Sequence, residues 1–390
     1  MYKNEIEKVI EALINYIEKE QFKGYDPYDT LNSWLPFHWF GKLGQALAIQ
    51  IQKLNPINIR LLMGIKRDYN PKGLGLLLQS YCLLYEKTNK VEYINLCDSL
   101  FKQLLALRSP DYNNYCWGYN FVWASTQKVL PKYYPSIVVT SFVGIGIFKY
   151  YVLTKNEVAL QVLKSIQNYI MEDIPLTTTD EGVCFSYTDY EVDCCYNASM
   201  LGVEILSMIY SITKEEKIKK VVEKAVNFVL AHQHPTGKWN YSMDLKTQKE
   251  REQIDFHQGF VLVSLYHCMK YAMINNEQLR KSIEKGLHYY KTVQFFDNGQ
   301  SLWRVPKSYP VDIHNQAQGI ITFSLLKEFN KEYFAFACKI VDWTIHNMQD
   351  NKGYFYYRKF KHYINKTPYM RWSQAWMLLA LITYINNSND

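Results

Sequence analysis

Six apolar helical stretches recur along this 390-residue chain, each marked by a small residue: Gly75, Gly144, Gly202, Gly259, Gly319 and Ala375. Their separations are 69, 58, 57, 60 and 56 residues. The runs they open are alike in texture, not in identity: GLLLQSYCLLY, GIGIFKYY, GVEILSMIY, GFVLVSLYH, GIITFSLL and AWMLLALITY. These inner-type helices begin near 72, 137, 196, 256, 315 and 371. Between them fall amphipathic stretches, near 4–19, 91–107, 156–172, 215–232, 276–293 and 332–348, with apolar positions at helical spacing and Lys or Glu elsewhere. One more helix is expected over 38–53. The period is too long for a two-helix solenoid with tight turns and fits a helical hairpin with a long loop on one face. Six such hairpins predict a closed ring.

No Pro-, Gly- or Ser-rich linker divides the chain, so residues 1–390 read as a single domain. Hydrophobic residues make up 48% of it, ample for a large core, and no apolar run approaches the roughly 20 residues of a membrane span. The opening MYKNEIEKVIEALINYIEKE reads as an amphipathic helix, without the basic region, apolar stretch and cleavage site of a secretory signal. The expected setting is therefore cytoplasmic. The eight cysteines sit mostly in apolar helical stretches and read as reduced, buried thiols. No CxxC or HExxH occurs, so neither a zinc site nor any other cofactor is expected. The net charge of +7 is spread over lysines interleaved with glutamates, as between Lys214 and Lys224, which argues against a nucleic-acid partner.

The loops entering the inner helices carry five aromatic clusters, CWGYNF, VCFSYT, KWNYS, SLWRV and GYFYYR, whose alternation suggests short β-hairpins. In a ring all of these loops lie on one rim, and polar residues scattered over 300 positions converge there. The segments that enter the helices are YTDYEVDCCYN (187–197), IDFHQG (254–259), VDIHNQAQG (311–319) and YMRWSQAW (369–376). They place Asp189, Asp193, Asp255, His257, Asp312, His314, Asn315, Arg371 and Trp372 on the rim. Taken singly, Asp255, Asn315 and Arg371, each four residues before its small residue, sit where helix N-caps fall. Arg371, however, is a cation at a helix N-terminus, where the macrodipole is unfavourable, and so calls for an anionic partner in the protein or in a ligand.

This layout resembles the six-hairpin glycosidase and polysaccharide-lyase superfamily of (α/α)6 toroids, which includes unsaturated glucuronyl hydrolases and the toroid domains of lyases and uronyl C5-epimerases. The early GYDPYDTLNS (24–33) and the overall plan are also similar to toroid proteins of bacterial exopolysaccharide clusters. The resemblance implies an all-α toroid with hairpin-like loops on one rim, and an oligosaccharide or polysaccharide substrate, acidic and uronate-containing, in bacterial polysaccharide metabolism.

Two chemistries suit such a rim. Glycosidic cleavage is the leading expectation; it needs two carboxyl groups, one with a raised pKa, and Asp255 with Asp312 is the leading pair. Proton abstraction beside a uronate carboxylate, as in a lyase or C5-epimerase, needs a base such as His257, His314 or a tyrosine, with Arg304 or Arg371 neutralising the carboxylate. Trp117, Trp239, Trp303, Tyr354 and Trp372 are expected as stacking platforms for sugar faces, with Tyr25, Asp26, Tyr28 and Asp29 on a substrate-facing loop, Gly24 to Asp29, that reads equally well as an Asp-Pro turn. A non-catalytic glycan-binding protein would show the same rim without a catalytic glutamate. An isoprenoid cyclase would have an aromatic cavity for another reason, cation–π stabilisation, but the DxDD acid motif is missing from the sequence.

Overall fold

In the computed structural model, which describes residues 3–126, 128–274 and 276–388, the predicted alternation of helices is present. Helices α1 (Lys3–Lys19) and α2 (Gly41–Leu54) precede five inner–outer pairs. These are α3 (Pro71–Thr88) with α4 (Val91–Ala106), α5 (Ile137–Thr154) with α6 (Glu157–Asn168), and α7 (Tyr196–Thr213) with α8 (Glu216–Ala231). Then come α9 (His257–Tyr271) with α10 (Glu277–Gln294), and α11 (Ile313–Leu325) with α12 (Lys331–Met348). A π-turn over Met370–Ala375 leads into α13 (Trp376–Asn387). The inner helices pack in the order α3, α5, α7, α9, α11, α13, and α13 returns to α3. The N-terminal α1 packs on α13 as the sixth outer helix. The ring is closed, and the fold is the expected (α/α)6 toroid.

Close helix contacts explain the small residues: Gly75, Gly144 and Gly202 face neighbouring inner helices, while Gly319 faces Phe295 and, on the outer α12, Ile340. A Cβ on Gly75 would lie 2.9 Å from both Phe142 O and Val143 Cα of α5, and one on Gly144 would lie 2.9 Å from Ile205 of α7. They permit close approach between neighbouring inner helices, which is why they fall within the first turns rather than at the helix start. Helix α5 is the one described helix long and apolar enough to cross a membrane, and 72% of it is buried as inner wall. Turns from inner to outer helices are tight: Asn89, Lys155 and Lys214 adopt left-handed backbone at helix C-termini. Asn156, Asn276 and Asn330 then cap the outer helices through their side-chain oxygens.

The opposite connections are long and carry the strands. They form the pairs β1 (Trp123–Ala124) with β2 (Val129–Leu130), and β3 (Leu176–Thr179) with β4 (Gly182–Phe185). Two further sheets join successive loops edge to edge. One comprises β5 (Cys194–Cys195), β6 (Ser242–Met243) and β7 (Glu250–Arg251); the other comprises β8 (Val311–Asp312), β9 (Arg358–Lys359) and β10 (Ile364–Asn365). Each aromatic loop is pinned by a polar side chain of the helix it enters. Thr140, Ser199, Gln258, Gln316 and Gln374 accept the backbone N–H of Trp117, Phe185, Trp239, Ser301 and Phe355, at 2.7–3.0 Å. Thr140 is thus a loop anchor, while Ser136 caps α5.

Gly353 closes the outer ring. Its φ of +91° and its seat against the backbone of Ala12 in α1 leave no room for a Cβ, which would collide with the Ala12 carbonyl. Gly353→Ala is expected to lower stability by more than about 1 kcal/mol in denaturant unfolding, because both strain and collision act on the contact joining the two chain ends.

Candidate functional site

Four elements converge where the inner helices begin. The Asp-Pro turn after α1 presents Asp26, whose carboxylate accepts from Arg371 Nε at 2.6 Å and Arg371 Nη2 at 2.7 Å. Both residues are buried, so the anionic partner that Arg371 requires is in the protein. Asp26 and Tyr25 accordingly form the structured turn: the Asp26 carboxylate accepts the Tyr28 N–H at 3.1 Å, and Tyr25 packs beside Arg60. Asp312 caps α11 through the His314 N–H at 3.0 Å, and also accepts from Arg358 Nε at 2.6 Å and Trp372 Nε1 at 2.8 Å. Asp255 accepts from the His257 ring Nδ1 and from Gln253 at 3.0 Å, with Arg304 Nε 3.3 Å away. Burial pushes the Asp255 carboxyl up, but the His257 and Arg304 charges outweigh it and the net direction is down.

Two groups in this cluster lack such partners. His314 is buried, and neither ring nitrogen has a hydrogen-bond partner among the described residues. It stacks on Phe256 at 4.1 Å between ring centroids and meets Trp372 at 4.8 Å and Trp376 at 4.5 Å. Burial, aided by Lys72 and Arg371, drives its pKa well below the ordinary imidazole range, so it is neutral at pH 7. Lys72, in the first turn of α3, is also buried, with Nζ 4.2 Å from the Phe142 ring centroid and 5.4 Å from that of Trp376. Burial, and secondarily Arg371, lowers its pKa well below the usual ammonium range. The rule that singles out Arg371, a cation at a helix N-terminus, applies equally to Lys72, which is not among the residues expected from sequence. Tyr28, Phe256 and Arg358 complete the cluster. Tyr28 is 5.7 Å from Trp372 and accepts Lys53 Nζ at 3.0 Å.

The structure therefore brings Asp255, His257, Asp312, His314, Arg371 and Trp372 together, but they pack on one another, and all except the half-buried His257 are buried. The described lumen cavity lies lower, is about 110 Å³, and is walled by Phe142, Phe260 and Trp376 above and Glu204, His267 and Thr383 beyond. That is below the roughly 300 Å³ of a small-molecule site. Other expected positions have hydrogen-bond partners within the protein. Trp117 and Trp239 are buried wedges whose indole N–H groups donate to Leu104 O and Val229 O, at the C-terminal ends of the preceding outer helices, each at 2.8 Å. An indole carried just past a helix can fold back to satisfy its free carbonyls, and sequence alone does not separate that from a sugar platform. Asn315 donates to Leu302 O and Trp303 O, fixing the 301–304 loop. Asp193 accepts the Tyr187 N–H, and Asp189 accepts the Tyr112 hydroxyl. Trp303 remains half-exposed beside Arg304 and Lys307, as a rim platform requires.

Residues 186–304, which carry Asp255, His257, Trp303 and Arg304, match the pectic acid lyase family. A search by sequence among curated proteins finds no match. Among solved structures, the chain is similar to cellobiose 2-epimerase from Bacillus thermoamylovorans, with TM-score 0.63, 13% identity, and coverage of 80% of this chain and 87% of that one. An unsaturated glucuronyl hydrolase specific for heparin aligns over 99% of this chain and 98% of its own, with TM-score 0.65 and 12% identity. An α-mannanase from Bacteroides thetaiotaomicron aligns over 83% and 89%, with TM-score 0.62 and 14% identity. These are α/α-toroid structures, and the likeness extends the toroid assignment over the whole chain.

Proposed function

We propose that this protein is a carbohydrate-active enzyme that removes a proton from a sugar carbon next to a carboxylate or carbonyl, as lyases and epimerases do. The carrying observation is the geometry of His314: it is buried within the rim cluster with both ring nitrogens unpartnered, so no described group competes for its lone pair. The rim carboxylates are less suited to glycosidic acid–base work. Asp255 and Asp312 are each clamped by a cation, and Asp29 and Asp193, whose carboxyls burial pushes up, are tied to Arg60 Nε and to the Tyr187 N–H. A proton donor needs a carboxyl kept neutral and free to reach the leaving oxygen.

In this reading His314 takes the proton, the C–H electrons move toward the adjacent carboxylate or carbonyl oxygen, and the exposed Arg304 meets the growing negative charge. His257, oriented by Asp255, then either returns a proton to the opposite face of the carbon or delivers it to the departing glycosidic oxygen as a C=C bond forms. The first outcome inverts the carbon; the second cleaves the chain. In this reading Phe256, whose ring stacks on His314 at 4.1 Å between centroids, turns aside to admit the sugar. Support for an acidic glycan comes from the cations around the cluster and from the match of residues 186–304 to pectic acid lyases. The test is a panel of uronate oligosaccharides and neutral disaccharides analysed for product. An unsaturated or inverted sugar is expected; release of plain saturated fragments alone would overturn the proposal.

A further inference from the structure

Helix α2 is turned inside out. It faces the protein with Ile49, Gln52 and Lys53, and exposes Leu43, Leu47, Ile51 and Leu54, at 56–68% of their maximal accessibility. These four recur at intervals of 4, 4 and 3 residues, a continuous apolar stripe on one helix face. The stripe is prolonged at its N-terminal end by Trp39 and Phe40, 77% and 67% exposed. Ten of the twenty large hydrophobic side chains that are exposed among the described residues fall within residues 34–62. A water-soluble surface rarely leaves so contiguous an apolar face uncovered.

Charge tells which partner covers it. From Thr30 to Arg67 the chain has no Asp or Glu; of its cations Lys53 and Arg60 are buried, Arg67 pairs with Glu20 beside the segment, and Lys42 and Lys66 are exposed. The adjoining hairpin β9–β10, whose Asn365 donates to Asn55 O at 3.0 Å just past α2, lies in a second acid-free stretch, 351–389, and exposes Lys361 and Lys366. A second copy of this chain docking through the same face would oppose cations to cations. An apolar stripe with Trp and Phe at its end, flanked by cations and free of acids, matches the interface of an anionic lipid bilayer, where rings and aliphatic chains enter the headgroup boundary and lysines meet phosphates.

We infer that this face, α2 with the β9–β10 hairpin, docks the protein on an anionic membrane surface. The inference is independent of the chemistry in the lumen. It is tested by flotation of the full chain with vesicles of phosphatidylcholine alone and of phosphatidylcholine mixed with phosphatidylglycerol. Binding to the mixed vesicles is expected to exceed binding to phosphatidylcholine by about ten-fold or more and to fall with added salt. Replacing Leu43, Leu47 and Ile51 together by Gln, all solvent-exposed and so without cost to the core, should reduce binding by about ten-fold or more. Lys361→Gln with Lys366→Gln should remove most of the preference for anionic vesicles. Absence of binding to either vesicle, or equal binding by the triple variant with its helical content intact, overturns the inference. A concentration-dependent dimer that the triple variant abolishes, without vesicle binding, overturns it in favour of a second copy.

Discussion

Arg371→Met is expected to destabilise the fold by about 3–5 kcal/mol, because it leaves the Asp26 carboxylate buried without its counter-charge. The pair joins residues 345 positions apart and fixes the turn after α1 onto the start of the last inner helix. Its geometry is bidentate and its surroundings are aromatic: the guanidinium lies 5.0 Å from the Tyr119 ring centroid and 5.1 Å from that of Trp372, and the side-chain stem passes against Gly73. Denaturant unfolding of the single variant and of the double variant Asp26→Leu with Arg371→Met separates the pair from its parts. The double variant should be more stable than the single one, since removing both charges also removes the desolvation penalty. A single variant within about 0.5 kcal/mol of the parent would mean that the pair does not hold the turn.

His314→Asn should lower turnover by about 10²-fold or more while the protein remains folded, because a general base typically contributes that much. The same variant has a signature in stability against pH. The folded pKa of His314 lies well below the unfolded value of about 6.5, so the stability linked to its neutral form is fully present above that value. It is lost as pH falls from there toward the folded pKa, by about 1.4 kcal/mol per pH unit. The Asn variant should lack that component of acid sensitivity. An unchanged acid profile together with unchanged turnover would remove His314 from the role of base.

The helical pattern carried most of the fold. Small residues with apolar runs at a period near 60 are legible because close helix packing demands them, and six such units close a ring. The gathering of Asp255, His257, Asp312, His314, Arg371 and Trp372 was legible too, since a ring forces every long connection to one rim. Roles within the cluster were not. Whether a carboxylate is free or clamped depends on partners as distant as Asp312 and Arg358, which no spacing announces. Trp117 and Trp239 have the same sequence setting as Trp303, yet two bury their N–H groups on helix ends and one stays at the surface. The inverted face of α2 was hidden for a similar reason: amphipathic periodicity predicts a helix over 38–53 but not which face meets the protein. The glycine that precedes several aromatic clusters, as in Gly237 and Gly353, was an available signal for the contact with the next outer helix.

Whether the protein breaks a C–H bond of a sugar, as proposed, is tested most directly by tracking the hydrogen on the reacting carbon by NMR in D₂O. The expected result is that this hydrogen is lost, replaced by deuterium in an inverted sugar or absent from a new C=C bond, and that the loss is slowed about 10²-fold or more in His314→Asn. Products that retain every original carbon-bound hydrogen, with only a glycosidic bond opened by water, would contradict it.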